Sequence, residues 1–374
     1  MPPSRLLIFV EDASPANYAA LLLPALRERG VSTTVCATRI AAEQLRAQHV
    51  DFTATDPTTH AGTLIGQVGA GAILAGTAEN PDSLGLALID AARERRLPSA
   101  AFVDARVNAE IRLRGRGNQP LAHRPDWLLA PDAWTREAFV KLGFPARRIE
   151  VCGHPRYDHV LEMKRQWGPA GHALMRARHY GDAGDRPIWV FISEGRPRFD
   201  VAAEPDPSEY LFRGRGARRR NAVVLEEVLD ARNGGRRQSG SSPPYFVYRA
   251  HPTEDAADWM PYCNEFDRLS RAEPALEVVY AADRVIGMTS TLLLEAALLG
   301  MPCLGVMPTR ADRQLLPGLG GLIPVVENRA ELQAALDAAP KPVDAGVALP
   351  EVPAGAVERA AAFVQARLMH GSPA

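Results

Sequence analysis

Two stretches of this chain carry residue types that can do chemistry at the end of a strand. In Arg249-Ala250-His251-Pro252 an apolar run closes on an imidazole, and Pro252 biases His251 out of helical backbone, presenting its ring at a strand's carboxyl end. In the second, the apolar run through Val285 and Ile286 meets Thr289, Ser290 and Thr291, and helical apolar spacing then continues to Gly300. That is strand, turn and helix. One of the three hydroxyls can cap the helix, and the others, with the first-turn N–H groups, make an end that attracts anions. The interval between the stretches fits one further α/β excursion in the same sheet, so both open on one edge. A lone histidine or a capped helix is more often structural; the two together point to a ligand.

The elements that must position them alternate. Arg5 to Val10, Val31 to Cys36, Ala70 to Ala75, Ser99 to Val103, Trp127 to Ala130 and Ile149 to Gly153 read as short buried strands. Helical patterns lie between them: Glu11-Asp12 through Arg29, Arg39 to Gln48, Ser83 to Arg95 and Ala133 to Leu142. A second series begins near Arg186, with strands at Pro187 to Ile192, Tyr245 to Arg249, Leu276 to Val279, the stretch through Ile286, Pro302 to Val306 and Ile323 to Val326. Its helices are expected at Ala217 to Arg232 and Arg329 to Leu336. The fold class is therefore α/β, two Rossmann-like domains facing across a cleft, with a final helix at about 355–369 crossing back to the first. The boundaries expected are 1–168, a linker over 169–185, 186–340, and a tail over 341–374. Glu194 to Gly216 and Asn233 to Pro244 read as long loops.

Composition excludes several classes. Lys plus Arg (43) nearly balances Asp plus Glu (44) over 374 residues, which gives no argument for nucleic acid. No apolar run approaches the roughly 20 residues of a membrane span, and no signal peptide is expected. Cys36, Cys152, Cys263 and Cys303 are far apart and read as free thiols of a cytoplasmic protein. The first strand is not followed by Gly-x-Gly-x-x-Gly, which removes the main support for a dinucleotide. Arg213, Arg215, Arg218, Arg219 and Arg220 form a basic cluster, either a solvated helix start or a contact for anionic lipid, glycan or phosphate at the inner membrane face.

Gly153-His154-Pro155-Arg156-Tyr157-Asp158, the later His251-Pro252 and the run Asp283 to Leu304 come in the order seen in GT-B fold glycosyltransferases. The chain resembles capsule and teichoic-acid polymerases and His-Pro sialyltransferases, and more distantly the non-hydrolysing sugar-nucleotide 2-epimerases. The resemblance implies transfer of a sugar from a CMP- or UDP-linked donor to a surface glycan, lipid or protein acceptor, with no cofactor beyond the nucleotide-sugar. The absence of an Asp-x-Asp motif at a strand end implies no metal. The resemblance further implies His251 and Pro252 at the phosphates or ribose, Thr289, Ser290 and Thr291 as the phosphate cradle, Glu295 at the ribose, and Arg310 and Arg313 near the phosphates. The leaving nucleotide gains negative charge as the glycosidic bond breaks, so such a site needs N–H and cationic donors.

The general base is left among four carboxylates. Ser193-Glu194-Gly195 partly matches the acidic pair before Gly in sialyltransferase-like enzymes, which puts Glu194 forward; Glu11 and Asp12 end the first strand, and Asp104 ends another. Each also fits a turn or a helix cap. The alternatives are an epimerase or hydrolase, for which Asp104 to Gly117 offers Asp104, Glu110 and Arg-Gly pairs but no Thr-Gly, and a non-catalytic nucleotide-sugar-binding protein.

Overall fold

The computed structural model describes residues 5–106, 108–195, 206–239, 242–312, 323–343 and 354–370. The chain divides into two compact units, Met1–His159 with Leu349–Ala374, and Val160–Ala348.

The first unit holds strands β1 (Arg5–Val10), β2 (Thr33–Ala37), β3 (Thr53–Ala54), β4 (Ala70–Gly76), β5 (Ser99–Phe102), β6 (Trp127–Ala130) and β7 (Ile149–Val151). They form one sheet in the order β3-β2-β1-β4-β5-β6-β7, with every pair parallel. Parallel strands are covered by crossover helices on both faces, which is why Leu6 to Val10 form an unbroken, fully buried apolar run. The order reverses between β1 and β4, and the crevice beyond their carboxyl ends is the topological switch point.

The second unit repeats the plan with β8 (Ile188–Ile192), β9 (Tyr245–Arg249), β10 (Arg268–Ser270), β11 (Arg284–Gly287), β12 (Cys303–Val306) and β13 (Val325–Val326). The sheet order β10-β9-β8-β11-β12-β13 is again all parallel, and the switch falls between β8 and β11. Both sheets agree with the doubly wound class read from the alternation of elements.

Three local expectations are corrected. Leu276 to Val279, read as a strand, lies in the helix Ala275–Tyr280, where Pro274 holds the position before the first turn; a short apolar run does not distinguish the two by periodicity. The polar strand β10 takes the expected place in the sheet, and β3, exposed and two residues long, carries no apolar signal. The helix Arg220–Ser239 absorbs the start of the loop expected from Asn233. Residues 169–185, read as a linker, hold the helix Gly171–Tyr180. Cys36, Cys152 and Cys303 are buried free thiols and Cys263 is exposed.

The C-terminal helix Ala356–Phe363 continues as a π-turn, Val364–Met369, and belongs to the first unit. Ala360, Ala361 and Val364 bury against the same core as Leu22, Ala25 and Leu26 of the helix Ala13–Glu28. Its N-cap is Gly355, at φ 80°, which has no side chain to cap with. Asp158 supplies the cap from outside, accepting from Gly355 N at 2.9 Å and Val357 N at 3.2 Å, while Arg359 Nε donates to Cys152 O at 3.0 Å. The Gly153-to-Asp158 motif thus fastens the end of the chain. Asp158→Ala leaves the N–H groups of the N-cap Gly355 and of Val357 in the first turn without that acceptor, a loss of about 1–2 kcal/mol. Calorimetry should show the midpoint lowered by a few degrees, with Asp158→Asn intermediate; an unchanged midpoint would remove the cap from this account.

Candidate functional site

The polar residues of the second unit converge at the carboxyl ends of β8, β9 and β11. Each residue of Ser193-Glu194-Gly195, which follows β8, meets a different neighbour. Ser193 Oγ donates to Glu254 Oε1 at 2.5 Å. Glu194 reaches across the switch point, accepting from Thr289 N at 2.5 Å and Thr289 Oγ1 at 3.1 Å. Gly195 makes room: a Cβ there would collide with His251 Nδ1 and Thr253 Oγ1.

His251 sits where β9 ends, and its surroundings fix its ring. Thr253 N donates to Nδ1 at 3.2 Å and Thr253 Oγ1 lies 2.8 Å from the same nitrogen, so in the neutral imidazole Nε2 carries the proton. Glu254 holds the backbone of this turn. Its Oε2 accepts from His251 N at 2.7 Å and its Oε1 from Tyr248 OH at 2.9 Å and Asn221 Nδ2 at 3.2 Å. Burial pushes the Glu254 carboxyl up, against the opposing pull of its donors. Pro252 is exposed at the turn.

Arg220 closes the other side. Its guanidinium is 3.1 Å from Glu194 Oε2, 3.1 Å from Thr289 Oγ1 and 2.9 Å from Asp312 Oδ1. Asp312 is itself buried and held by Thr309 N at 2.9 Å. Ser290 caps the helix Thr291–Leu299, accepting from Leu292 N at 3.3 Å. Thr289, expected in the phosphate cradle, is engaged by Glu194 and Arg220 in the turn before the N-cap. Thr291 is exposed, Glu295 is buried within the helix, and Arg310 is exposed after β12; Arg313 lies outside the described residues. Of the basic cluster, Arg215 pairs with Asp230 and Glu265, and Arg219 with Asp258, so much of its charge is matched within the unit. Arg213 and Arg218 are exposed.

The first unit's edge holds the remaining carboxylates. Asp104 is buried and accepts from Arg112 Nη1 at 3.0 Å, with Arg112 also on Thr77 Oγ1 at 3.1 Å. Asp12 stands at the N-cap of Ala13–Glu28 without a side-chain cap bond. Glu11 is buried, accepts from Asn80 Nδ2, and lies 3.5 Å from Arg39 Nε. His154 is also buried; its Nε2 donates to Asp104 O at 3.0 Å and its Nδ1 accepts from Arg156 N at 3.1 Å. Among the described residues no group of three or more His, Cys, Asp or Glu is placed to hold a metal ion, and no helix is long and apolar enough to cross a membrane.

No protein-family model matches the sequence. No curated protein matches it either. By structure it is similar to S. aureus MnaA bound to UDP, at TM-score 0.65 and 13% identity over 99% of both chains. It is also similar to the UDP-GlcNAc 2-epimerase of Neisseria meningitidis bound to UDP-GlcNAc, at TM-score 0.60 and 12% identity over 89% of this chain and 90% of that one. Acinetobacter baumannii MurG matches at TM-score 0.55 and 14% identity over 97% of this chain and 100% of that one. At these identities the likeness is one of fold, and it supports the GT-B-like pair of Rossmann-like units.

Sequence reasoning singled out His251, Pro252, Glu194 and Thr289 to Thr291, and the structure brings His251, Glu194 and Thr289 to one sheet edge. It missed Glu254, Thr253, Asn221 and Asp312. An acidic residue three places after His251 in a non-helical turn was the available signal for Glu254. Gly195→Ala should drive His251 and Thr253 from their places and cost about 1–3 kcal/mol; an unchanged melting midpoint and unchanged His251 ring resonances would contradict the packing described. His154 gives a pH dependence. Burial lowers its pKa from 6.5, so the folded state resists a proton that the unfolded state accepts. Its contribution is complete above about 6.5 and is lost as pH falls below that value. His154→Gln should therefore flatten the fall in melting temperature between about pH 7 and 5, and an equally steep fall would assign the acid sensitivity elsewhere.

Proposed function

We propose that the chain binds a nucleoside-diphosphate sugar at the carboxyl edge of β8, β9 and β11 and acts on it as a sugar-nucleotide 2-epimerase or hydrolase. The observation that carries this reading is the His251 ring, its proton assigned to Nε2 by Thr253, on the same edge as the hydroxyl-rich helix start and Arg220. An imidazole N–H, a guanidinium and a helix N-terminus are the donors that a departing diphosphate needs as it gains charge. Glu295, one turn into the helix, is the candidate ribose contact. Structures of the same fold hold UDP-GlcNAc and UDP, which favours a uridine nucleotide.

Glycosyl transfer to a glycan, lipid or protein hydroxyl is the second reading. Asp104 to Gly117 lacks the Thr-Gly expected of the epimerases, and MurG shares the fold. Both readings need the same nucleotide seat and differ in the fate of the sugar.

A thermal-shift panel of UDP, CMP, CDP and GDP should single out UDP. At a hundredfold excess over its dissociation constant a ligand stabilises by about 2.7 kcal/mol. His251→Ala should abolish the shift with the ligand-free midpoint nearly unchanged. Proton NMR of UDP-GlcNAc incubated with the protein then separates the readings: a C2-inverted sugar supports the first, consumption only with an added acceptor supports transfer, and binding without turnover supports a non-catalytic binder. No shift with any nucleotide would overturn all three.

A further inference from the structure

In the second unit, donors suited to a ligand anion already hold one of the chain's own carboxylates. Glu194 Oε1 accepts from Thr289 N at 2.5 Å and from Thr289 Oγ1 at 3.1 Å, and its Oε2 lies 3.1 Å from Arg220 Nη1. Arg220 Nη2 in turn donates to Thr289 Oγ1 at 3.1 Å, so that hydroxyl gives its proton to Glu194 and takes one from the guanidinium. A backbone N–H, a hydroxyl and a guanidinium converging on the oxygens of one anion is the set that binds a phosphate group. Here a glutamate fills it.

The neighbouring residues show which parts of this arrangement are fixed. Ser193 is buried and bonded to Glu254, Glu194 N donates to Asn221 Oδ1 at 3.3 Å, and Gly195 packs against the His251 ring. The backbone under Glu194 is therefore held from three directions. Arg220 has a second anchor, since its Nη2 lies 2.9 Å from Asp312 Oδ1, and the buried Asp312 is itself held by Thr309 N at 2.9 Å and Thr309 Oγ1 at 2.8 Å. The guanidinium keeps its place and a counter-charge if Glu194 leaves. The Glu194 side chain is 15% exposed, and its 3.1 Å approach to Arg220 is longer than the roughly 2.7–2.9 Å of a strong charge-assisted bond. The part free to move is a flexible side chain on a held backbone, at the rim of the sheet.

Charge decides what the contact does. With Glu194 in place, two carboxylates, Glu194 and Asp312, face one guanidinium, and a phosphate arriving there meets like charge. With Glu194 turned out to solvent, the Arg220–Asp312 pair is balanced and the Thr289 N–H and hydroxyl are open. We propose that Glu194 is an autoinhibitory internal ligand of the nucleotide seat: its carboxylate occupies the phosphate donors Thr289 and Arg220 in the ligand-free chain, and a diphosphate enters by displacing it. The inference rests on the reading of this edge as a nucleotide seat and adds how that seat is regulated. The apparent affinity for any anion is its intrinsic affinity reduced by the fraction of molecules with Glu194 turned away. A bare anion has only the shared donors with which to meet that threshold, whereas a nucleotide brings the contacts of its base and ribose as well.

The test is calorimetric titration of the full chain and of Glu194→Gln with UDP and with inorganic pyrophosphate. Glutamine keeps the shape and still accepts from Thr289 N, but carries no charge. The variant should bind UDP roughly tenfold or more tightly than the parent, and should gain affinity for pyrophosphate. UDP bound equally or more weakly by the variant would overturn the proposal and make Glu194 a structural clamp between the ends of β8 and β11, while UDP binding by the parent leaves the proposed function standing. Pyrophosphate bound more tightly by the variant, with UDP bound by neither protein, would support the internal contact and sink the nucleotide reading. Neither anion bound by either protein overturns both. Should Glu194→Gln fail to fold, NMR of the parent decides: saturation with UDP must move both the Glu194 side-chain carboxyl carbon and the Thr289 amide, and resonances that stay in place would overturn the displacement.

Discussion

A parallel strand cannot be reached from its neighbour by a tight turn; the chain must cross back along the sheet first. That constraint acts at every pairing in both sheets, and it gathers all the strands' carboxyl ends on one edge of each unit. The central strand bodies are buried on both faces and apolar, so most polar chemistry falls to the residues just beyond them. Glu11, Thr38 and Asp104 in the first unit, and Ser193, Glu194, His251 and Thr289 in the second, all occupy that position. The order reversals, between β1 and β4 and between β8 and β11, then select which of these ends flank a crevice.

Placing so many charges at the rim of a core demands compensation, and each charge meets it with different donors. Glu254 gathers a backbone N–H, two hydroxyls and an amide, yet burial still holds its carboxyl above the ordinary range. Glu194 uses the N–H group that leads into a helix, where a ligand anion would find the same attraction. Arg284 shows the purely structural version: it is buried, donates to the carbonyls of Ala335, Leu336 and Ala338, and covers the ring of Trp189, with burial lowering its pKa. Among the described residues Glu11 Oε2 and Thr38 Oγ1 have no hydrogen-bond partner, and neither do Tyr18 OH and Thr135 Oγ1.

Much of this was legible in the sequence, for reasons that differ by element. Apolar runs such as Leu6 to Val10 announce a parallel strand because both faces are covered. Pro252 betrays His251 as a strand-end residue through local sterics alone. What was not legible depends on pairing across the chain. Glu254 looks like any surface glutamate until Ser193, Tyr248 and Asn221 are folded around it. Arg220 sat inside a basic cluster that reads as a solvated patch, and only the fold shows it between Glu194 and Asp312. The Gly153-to-Asp158 motif invited a functional reading, whereas Asp158 caps a helix nearly two hundred residues away. Short apolar segments remained ambiguous, as Leu276 to Val279 illustrates.

The central claim is that the second unit's edge seats a nucleotide through His251. Nitrogen-15 NMR of histidine-labelled protein titrated with UDP tests it most directly, because the ring nitrogens report tautomer and contact together and the chain has only 9 histidines to assign. The account predicts a saturable shift of His251 Nε2 and its proton, with Nδ1 remaining an acceptor, while buried His154 stays unmoved. UDP binding that shifts other histidines and leaves His251 unchanged would contradict it.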